Sequence, residues 1–309
     1  MDSVSQIVLG AAACHAISGR QLGRKALILG AILGTLPDLD VLIDYGDVVS
    51  NFTNHRGFSH SIFVLTIVSP IIGFLLRRFS TFKIIPYPRL LLTIWLALVT
   101  HPILDSFTVY GTQLFWPLPR APESWASIFI IDPLYTIPLL FTGVWILFKK
   151  PNWRLLSIIG LAASTTYLGW SLYAKTQVIQ HIHHELIRQG ISYQALKVIP
   201  ERFNTLNWRG IAMDKNVFYE TRASVLKPYT MLNFNAYTHN KQWLQHLGNN
   251  ASVQRLAWFT SGFYKITDRQ NMIVVSDLRM GSEGFSIFEF AVADRNDLNT
   301  PFWPRNAPK

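Results

Sequence analysis

Four apolar stretches limit what this chain can fold into. Residues 61–76, 90–104, 127–148 and 154–174 carry at most one charge each. Each is close to the roughly 20 residues a helix needs to cross a bilayer. In hydrocarbon every backbone polar group must be satisfied inside the protein, so stretches of this length are read as helices. Two shorter apolar segments, 4–18 and 26–36, fit a tilted or re-entrant hairpin. Composition agrees: charged residues are 15% of 309, against about 25% in soluble domains, and mean hydropathy is +0.22. The single cysteine, Cys14, excludes an intramolecular disulfide and a cysteine-based zinc site. No charged region precedes residue 4, so no cleavable signal peptide is expected.

The links between these stretches set an orientation. Arg20, Arg24, Lys25, Arg77, Arg78, Lys83, Arg89, Lys149, Lys150 and Arg154 fall in links 19–25, 77–89 and 149–154. Links 37–60 and 105–126 hold nearly all the acids of this half and only Arg56 and Arg120. The positive-inside bias makes the basic links cytoplasmic, and an even number of spans then puts residues 175–309 outside. The net charge of +10 is dispersed without a long basic run, so no nucleic-acid partner is expected. Past residue 174 the material changes. An amphipathic stretch, YAKTQVIQHIHHELIRQG, leads through Pro200 to short alternating segments such as VFYETRASVL and NMIVVSDLRM. The expected fold is an all-α integral membrane helical bundle of about four to six spans or half-spans over 1–174. A small α+β or mostly β soluble domain over 175–309 follows it.

Three pairs of metal-ligating residue types collect at the outer ends of the spans. In Leu36-Pro37-Asp38-Leu39-Asp40 the proline ends a helix, and in an extended segment Asp38 and Asp40 would share a side. Two carboxylates that close repel unless a cation lies between them, although a lone pair of this kind is also an ordinary loop. In Asn54-His55-Arg56-Gly57-Phe58-Ser59-His60-Ser61, Gly57 supplies a turn and Ser59 an N-cap. His55 and His60 converge only if one lies in the loop and the other opens the helix. Arg56 is placed to hold a phosphate or pair with an acid. His101 and Asp105, four apart, share a helix face, and ionisable groups at membrane depth usually serve a function. Asp132 is a further candidate, as ligand or as the group that orients one. Mixed His/Asp ligation by Asp38, Asp40, His55, His60, His101 and Asp105 suits a divalent metal, zinc or manganese. His15 is read as a buried or interfacial histidine, and His181-Ile182-His183-His184-Glu185 as a solvated helix face.

The same residues resemble a known family. The order MDSVSQIVLG, LPDLD, NHRGFSHS, HPILD and YGTQLFWP is similar to the YdjM-like family of bacterial membrane-bound metal-dependent hydrolases, over about residues 1–150. That family is thought distantly similar to zinc-dependent phospholipase C and single-strand nucleases. The resemblance implies ligand roles for the six residues above and a bacterial cytoplasmic membrane location. Many relatives carry a histidine near the start, where this chain has Gln6. The expected function is metal-dependent hydrolysis of a phosphoester in a lipid or lipid-linked substrate, with Asp38 or Asp40 bridging or acting as base and Arg56 neutralising developing charge. The rival expectations are a transport or proton-relay protein and a non-catalytic, membrane-anchored binding protein with a structural metal.

Overall fold

The structure, a computed structural model, describes all residues except 150–152, 229, 248, 283–284, 297, 299–301 and 308–309. Lys150 of the expected cytoplasmic links lies outside the described residues. The chain divides into two compact units. The first comprises Met1–Asp40, Arg56–Tyr173 and Arg202–Asn204; the second comprises Val41–His55, Ala174–Glu201 and Thr205–Lys309. The division falls after Tyr173, but residues 41–55 group with the second unit instead of the helical one.

The first unit is helical. It contains α1 (Ser3–Leu22), α2 (Arg24–Thr35), α4 (Ile62–Leu76), the short α5 (Ser80–Lys83), α6 (Tyr87–Ser106), α7 (Pro133–Phe148) and the first part of α8 (Arg154–Arg188); α3 (Val48–Asn54) belongs to the second unit. By length and composition α6 and α8 can cross a membrane. A third candidate is Val48–His60 with Ile62–Leu76, if that pair is one broken span. The apolar stretch 127–148 is helical only from Pro133, which shortens α7 to 16 residues. Apolar side chains of α4 such as Phe63, Ile67, Ile71 and Phe74 are exposed, as lipid-facing residues must be.

The tightest contact in this unit joins α1 to α2. A Cβ on Gly10 would lie 2.3 Å from the Gly30 carbonyl oxygen, and one on Gly30 only 2.1 Å from that of Gly10. Small residues let the two backbones touch, as in other membrane helix pairs. Cys14, Leu29, Leu33, Leu65, Ile94 and Leu98 fill the core that α1, α2, α4 and α6 share. Met1, Leu9, Leu104, Tyr135 and Leu139 fill a second one. Polar pairs are buried here too: His15 Nδ1 lies 2.8 Å from Ser157 Oγ, and Ser18 Oγ 2.7 Å from Thr93 Oγ1.

The second unit is built on two antiparallel sheets. The first runs β1 (Ala195–Pro200), β2 (Asn207–Met213), β3 (Val217–Ser224) and β4 (Asn235–Thr238) in chain order. Between the sheets in sequence lie α9 (Leu244–Leu247) and α10 (Ala251–Phe259). The second sheet orders β10 (Arg305–Asn306), β9 (Glu289–Asp294), β6 (Met272–Asp277) and β5 (Tyr264–Arg269), with a small ladder of β7 (Gly281–Ser282) and β8 (Phe285–Ser286). Ala174, Val178, Ile182 and Leu186, spaced by four along α8, cluster with Val198, Trp208 and Ala212. That spacing is one helix face, so the amphipathic stretch buries its apolar side on the first sheet. Glu185, on the same stretch, is held by Arg188 at 2.7 Å and does not pair with His181, whose Nε2 meets the Thr230 carbonyl. From α3, Phe52 packs on Phe259, Phe288 and Phe290 with ring centroids 4.7–5.0 Å away.

Two outcomes follow. Gly30→Ala forces α1 and α2 apart and should lower the thermal midpoint of the detergent-solubilised protein by several degrees. Gly169→Ala, with nothing within 4 Å, should leave it unchanged or slightly raised. In the second unit, burial pushes the Lys197 ammonium down to about 7, with like charge from Arg279 and Lys175 adding to the effect. Between that value and the ordinary lysine range the unfolded chain binds the extra proton, so this unit should gain stability as pH rises above about 7. Lys197→Met should remove that slope, read by amide hydrogen exchange across β1 and β2.

Candidate metal centre

Four donor atoms converge in the first unit. Asp38 Oδ1, His60 Nε2, His101 Nε2 and a carboxylate oxygen of Asp105 all lie within 4.8 Å of one another, and no other such group of three or more forms among the described residues. Pro37 stops α2 and the chain turns into a 3-10 helix, Pro37–Leu42, that carries Asp38. A second 3-10 turn, Phe58–His60, presents His60 just ahead of α4, which Ser61 caps. His101 and Asp105 project from one face near the end of α6, as their spacing requires.

The surrounding hydrogen bonds decide which atoms face inward. His101 Nδ1 lies 2.6 Å from the Gly34 carbonyl oxygen, which only accepts, so Nδ1 carries a proton and, in the neutral ring that a metal requires, Nε2 keeps its lone pair. Ser59 gives its one hydroxyl proton to Asp40 Oδ2 at 2.7 Å, so its 2.9 Å contact with His60 Nδ1 must be donated by the histidine. His60 therefore also presents a bare Nε2. Asp105 Oδ1 is taken by Gln6 Nε2 at 2.9 Å and by the α-amino group of Met1, which leaves Oδ2. Two lone pairs and two carboxylates facing one another repel unless a cation sits among them.

Distances distinguish a metal ion from shared protons. The His60 Nε2 contacts to Asp38 Oδ1 and Asp105 Oδ2 are 3.4 and 3.3 Å; those of His101 Nε2 are 3.3 and 3.6 Å. Charge-assisted hydrogen bonds would draw these pairs to about 2.7–2.9 Å. Ligands about 2.0–2.1 Å from a tetrahedral zinc stand about 3.3 Å apart, so the donor set fits such an ion. Gln6 Oε1, buried beside Asp105, also completes no hydrogen bond among the described residues, and such a buried atom marks a place for an ion or polar ligand.

Arg56 lies beside this group. Its guanidinium is buried, with Nε 3.2 Å from Asp105 Oδ2, Nη1 3.3 Å from Thr108 Oγ1 and the Tyr110 ring 5.0 Å away. It sits in the left-handed region at φ 64, an uncommon and strained conformation for arginine. Two backbone hydrogen bonds pin it: its N–H donates to Asp40 Oδ2 at 2.9 Å, and its carbonyl accepts from Gln113 N at 2.9 Å.

Several expectations are corrected. Asp38 and Asp40 are not extended; with three residues per turn, positions two apart diverge by about 120°. Asp38 points into the donor group while Asp40 turns to Arg56, Ser59 and His60, making it a positioning group for His60. His55 is the C-cap residue of α3 in the second unit and is not one of the four converging ligands. Ser59 orients His60 while Ser61 caps α4, and the left-handed residue is Arg56, not Gly57. Asp132 caps α7 and accepts from Tyr167 at 2.9 Å. Ser59 and the Gly34 carbonyl were not singled out as site groups from sequence. Gln6 was, as the position where relatives carry a histidine, and it bonds Asp105 instead of joining the donor group.

Asp40→Asn should weaken metal affinity about 10–100-fold, the usual cost of losing a residue that orients a ligand, with all four donors intact. His55→Ala should leave it unchanged; competition with a chromogenic chelator measures both.

Comparison with known proteins agrees with the helical unit. The family described as YdjM inner membrane protein matches residues 1–178. Over 100 residues the chain is 35% identical to the inner membrane protein YbcI of Escherichia coli K12, covering 32% of this chain and 56% of that protein. Over 207 residues it is 30% identical to the uncharacterized protein YfhP of Bacillus subtilis 168, covering 64% of this chain and 59% of that one. The chain thus spans somewhat over half the length of each of these relatives. No solved structure matches it. The helices that carry Asp38, His60, His101 and Asp105 all lie inside the matched segment, and the chain belongs to the YdjM family of inner membrane proteins.

Proposed function

We propose that this chain is a membrane-bound metal-dependent hydrolase acting on a phosphoester of a lipid or lipid-linked substrate. The observation that carries the reading is the meeting of four metal donors and a buried arginine on one carboxylate, Asp105. A divalent ion, zinc or manganese, bound by Asp38, His60, His101 and Asp105 would supply a Lewis acid and lower the pKa of a water toward 7. Arg56 is placed to take up negative charge developing on a phosphate, in a dry setting where such charge is costly. Asp38 is the ligand with an accessible side chain, 29% against at most 1% for the other three. Substrate therefore approaches from the Asp38 side, and Asp38 is the carboxylate that can accept a proton there. Asp40, fully enclosed and committed to Arg56 and Ser59, is assigned no proton-transfer role.

The charge of the basic links supports an extracytoplasmic site and an extracytoplasmic second unit at the cytoplasmic membrane. A second reading has one observation behind it. Four protein donors form a closed set, the usual mark of a structural metal, while catalytic sites keep a position open.

Metal analysis of the detergent-purified chain should find about one equivalent of a divalent ion, absent from the His60→Ala/His101→Ala variant. A wild type that stays empty when ions are supplied would sink the hydrolase reading. Against a fluorogenic phospholipid, Arg56→Lys should cut turnover about tenfold or more at unchanged metal content. Tightly held metal with no turnover on any phosphoester would favour the structural reading.

A further inference from the structure

The turn that carries the accessible ligand is apolar on its outer side. Asp38 and Asp40 of this turn face inward, while Leu39 between them is 53% exposed. Asp40 Oδ2 ties the turn to the Arg56–Ser59 loop, where Phe58 is also exposed and meets exposed Trp116 edge-on at 6.3 Å, with exposed Leu118 two residues on. Phe58 opens directly onto α4, whose outward Phe63 and Ile67 belong to the lipid-facing surface. Contiguous apolar surface is unfavourable in water and is stable where a membrane covers it.

We propose that Leu39, Phe58, Trp116 and Leu118 form a lip seated at the headgroup–acyl boundary, which feeds the phosphate of a long-chain phospholipid sideways to Asp38. The occupant is the bilayer because the lip continues a surface that already faces lipid. The delivery step rests on the hydrolase reading; the seating of the lip does not.

Cys14 is buried, so a cysteine at Leu118 can be labelled selectively with an environment-sensitive dye. In vesicles of phosphatidylglycerol and phosphatidylethanolamine, lipid carrying a shallow doxyl quencher should reduce the emission of labelled Leu118→Cys at least twofold, and aqueous iodide should have little effect. Labelled Arg222→Cys, on the exposed side of β3, should show the reverse. If Leu118→Cys does not purify, Leu39→Cys, also exposed, serves in its place. Iodide quenching without doxyl quenching overturns the proposal, and so does protection from both, which would mean that protein covers the lip. For delivery, the metal-loaded wild type should cleave a long-chain phospholipid in vesicles at least tenfold faster than its short-chain homologue as free monomers. Equal rates overturn delivery. Turnover of neither substrate fells the hydrolase reading while the quenching result still decides the lip.

Discussion

The hydrogen bond from His101 Nδ1 to the Gly34 carbonyl ties α6 to α2, and much of the site depends on it. It fixes the histidine tautomer and turns Nε2 toward Asp38 and Asp105. It forms only because α2 lies flush against α1 at Gly10 and Gly30, with no side chain between the backbones. From α1, Gln6 donates to Asp105 Oδ1 and leaves Asp105 one oxygen for the donor group. Helix packing and ligand chemistry are thus one problem in this protein, because a shift of α2 against α6 would release His101 and a shift of α1 would release Gln6.

Charge accounts for the rest of the arrangement. Asp105 is fully buried, a position a lone carboxylate does not hold. Arg56 and the Met1 amine compensate it from two sides. Arg56 reaches it from a strained backbone that Asp40 and Gln113 hold in place. Asp40 does double service, since the Ser59 hydroxyl that sets the His60 tautomer ends on the same oxygen as the Arg56 N–H. A carboxylate that touches no inward-facing nitrogen lone pair therefore governs both a ligand and the nearby cation.

The buried polar pairs of the helical unit bear on the proton-relay alternative. His15 with Ser157 and Ser18 with Thr93 show that the interior away from the site is less uniformly apolar than the span sequences suggest. Each pair is satisfied locally by hydroxyl groups, which links neighbouring helices. Asp38, Asp40, Asp105 and Arg56 gather instead near the C-terminal end of α6, with the metal donors.

The sequence by itself determined that the chain is a membrane protein, that its character changes near residue 174, and which residue types would hold a metal. Apolar length and the charge of links are local properties, whereas a proline alone does not fix a helix end here, since Pro70, Pro102 and Pro138 lie inside helices. His101 and Asp105 were legible as a pair because helix geometry alone puts positions four apart on one face. The choice among the remaining candidates belonged to the tertiary structure. Asp38 and Asp40 look alike in sequence, as do His55 and His60. A 3-10 turn in place of an extended segment separated the aspartates, and the grouping of residues 41–55 with the second unit assigned His55 to α3. Which nitrogen of each histidine faces inward was settled by Gly34 and Ser59, partners 67 residues away and one residue away. Ligand identity depends on where lone pairs point, and that direction is set by hydrogen bonds and backbone contacts that exist only once the helices have packed.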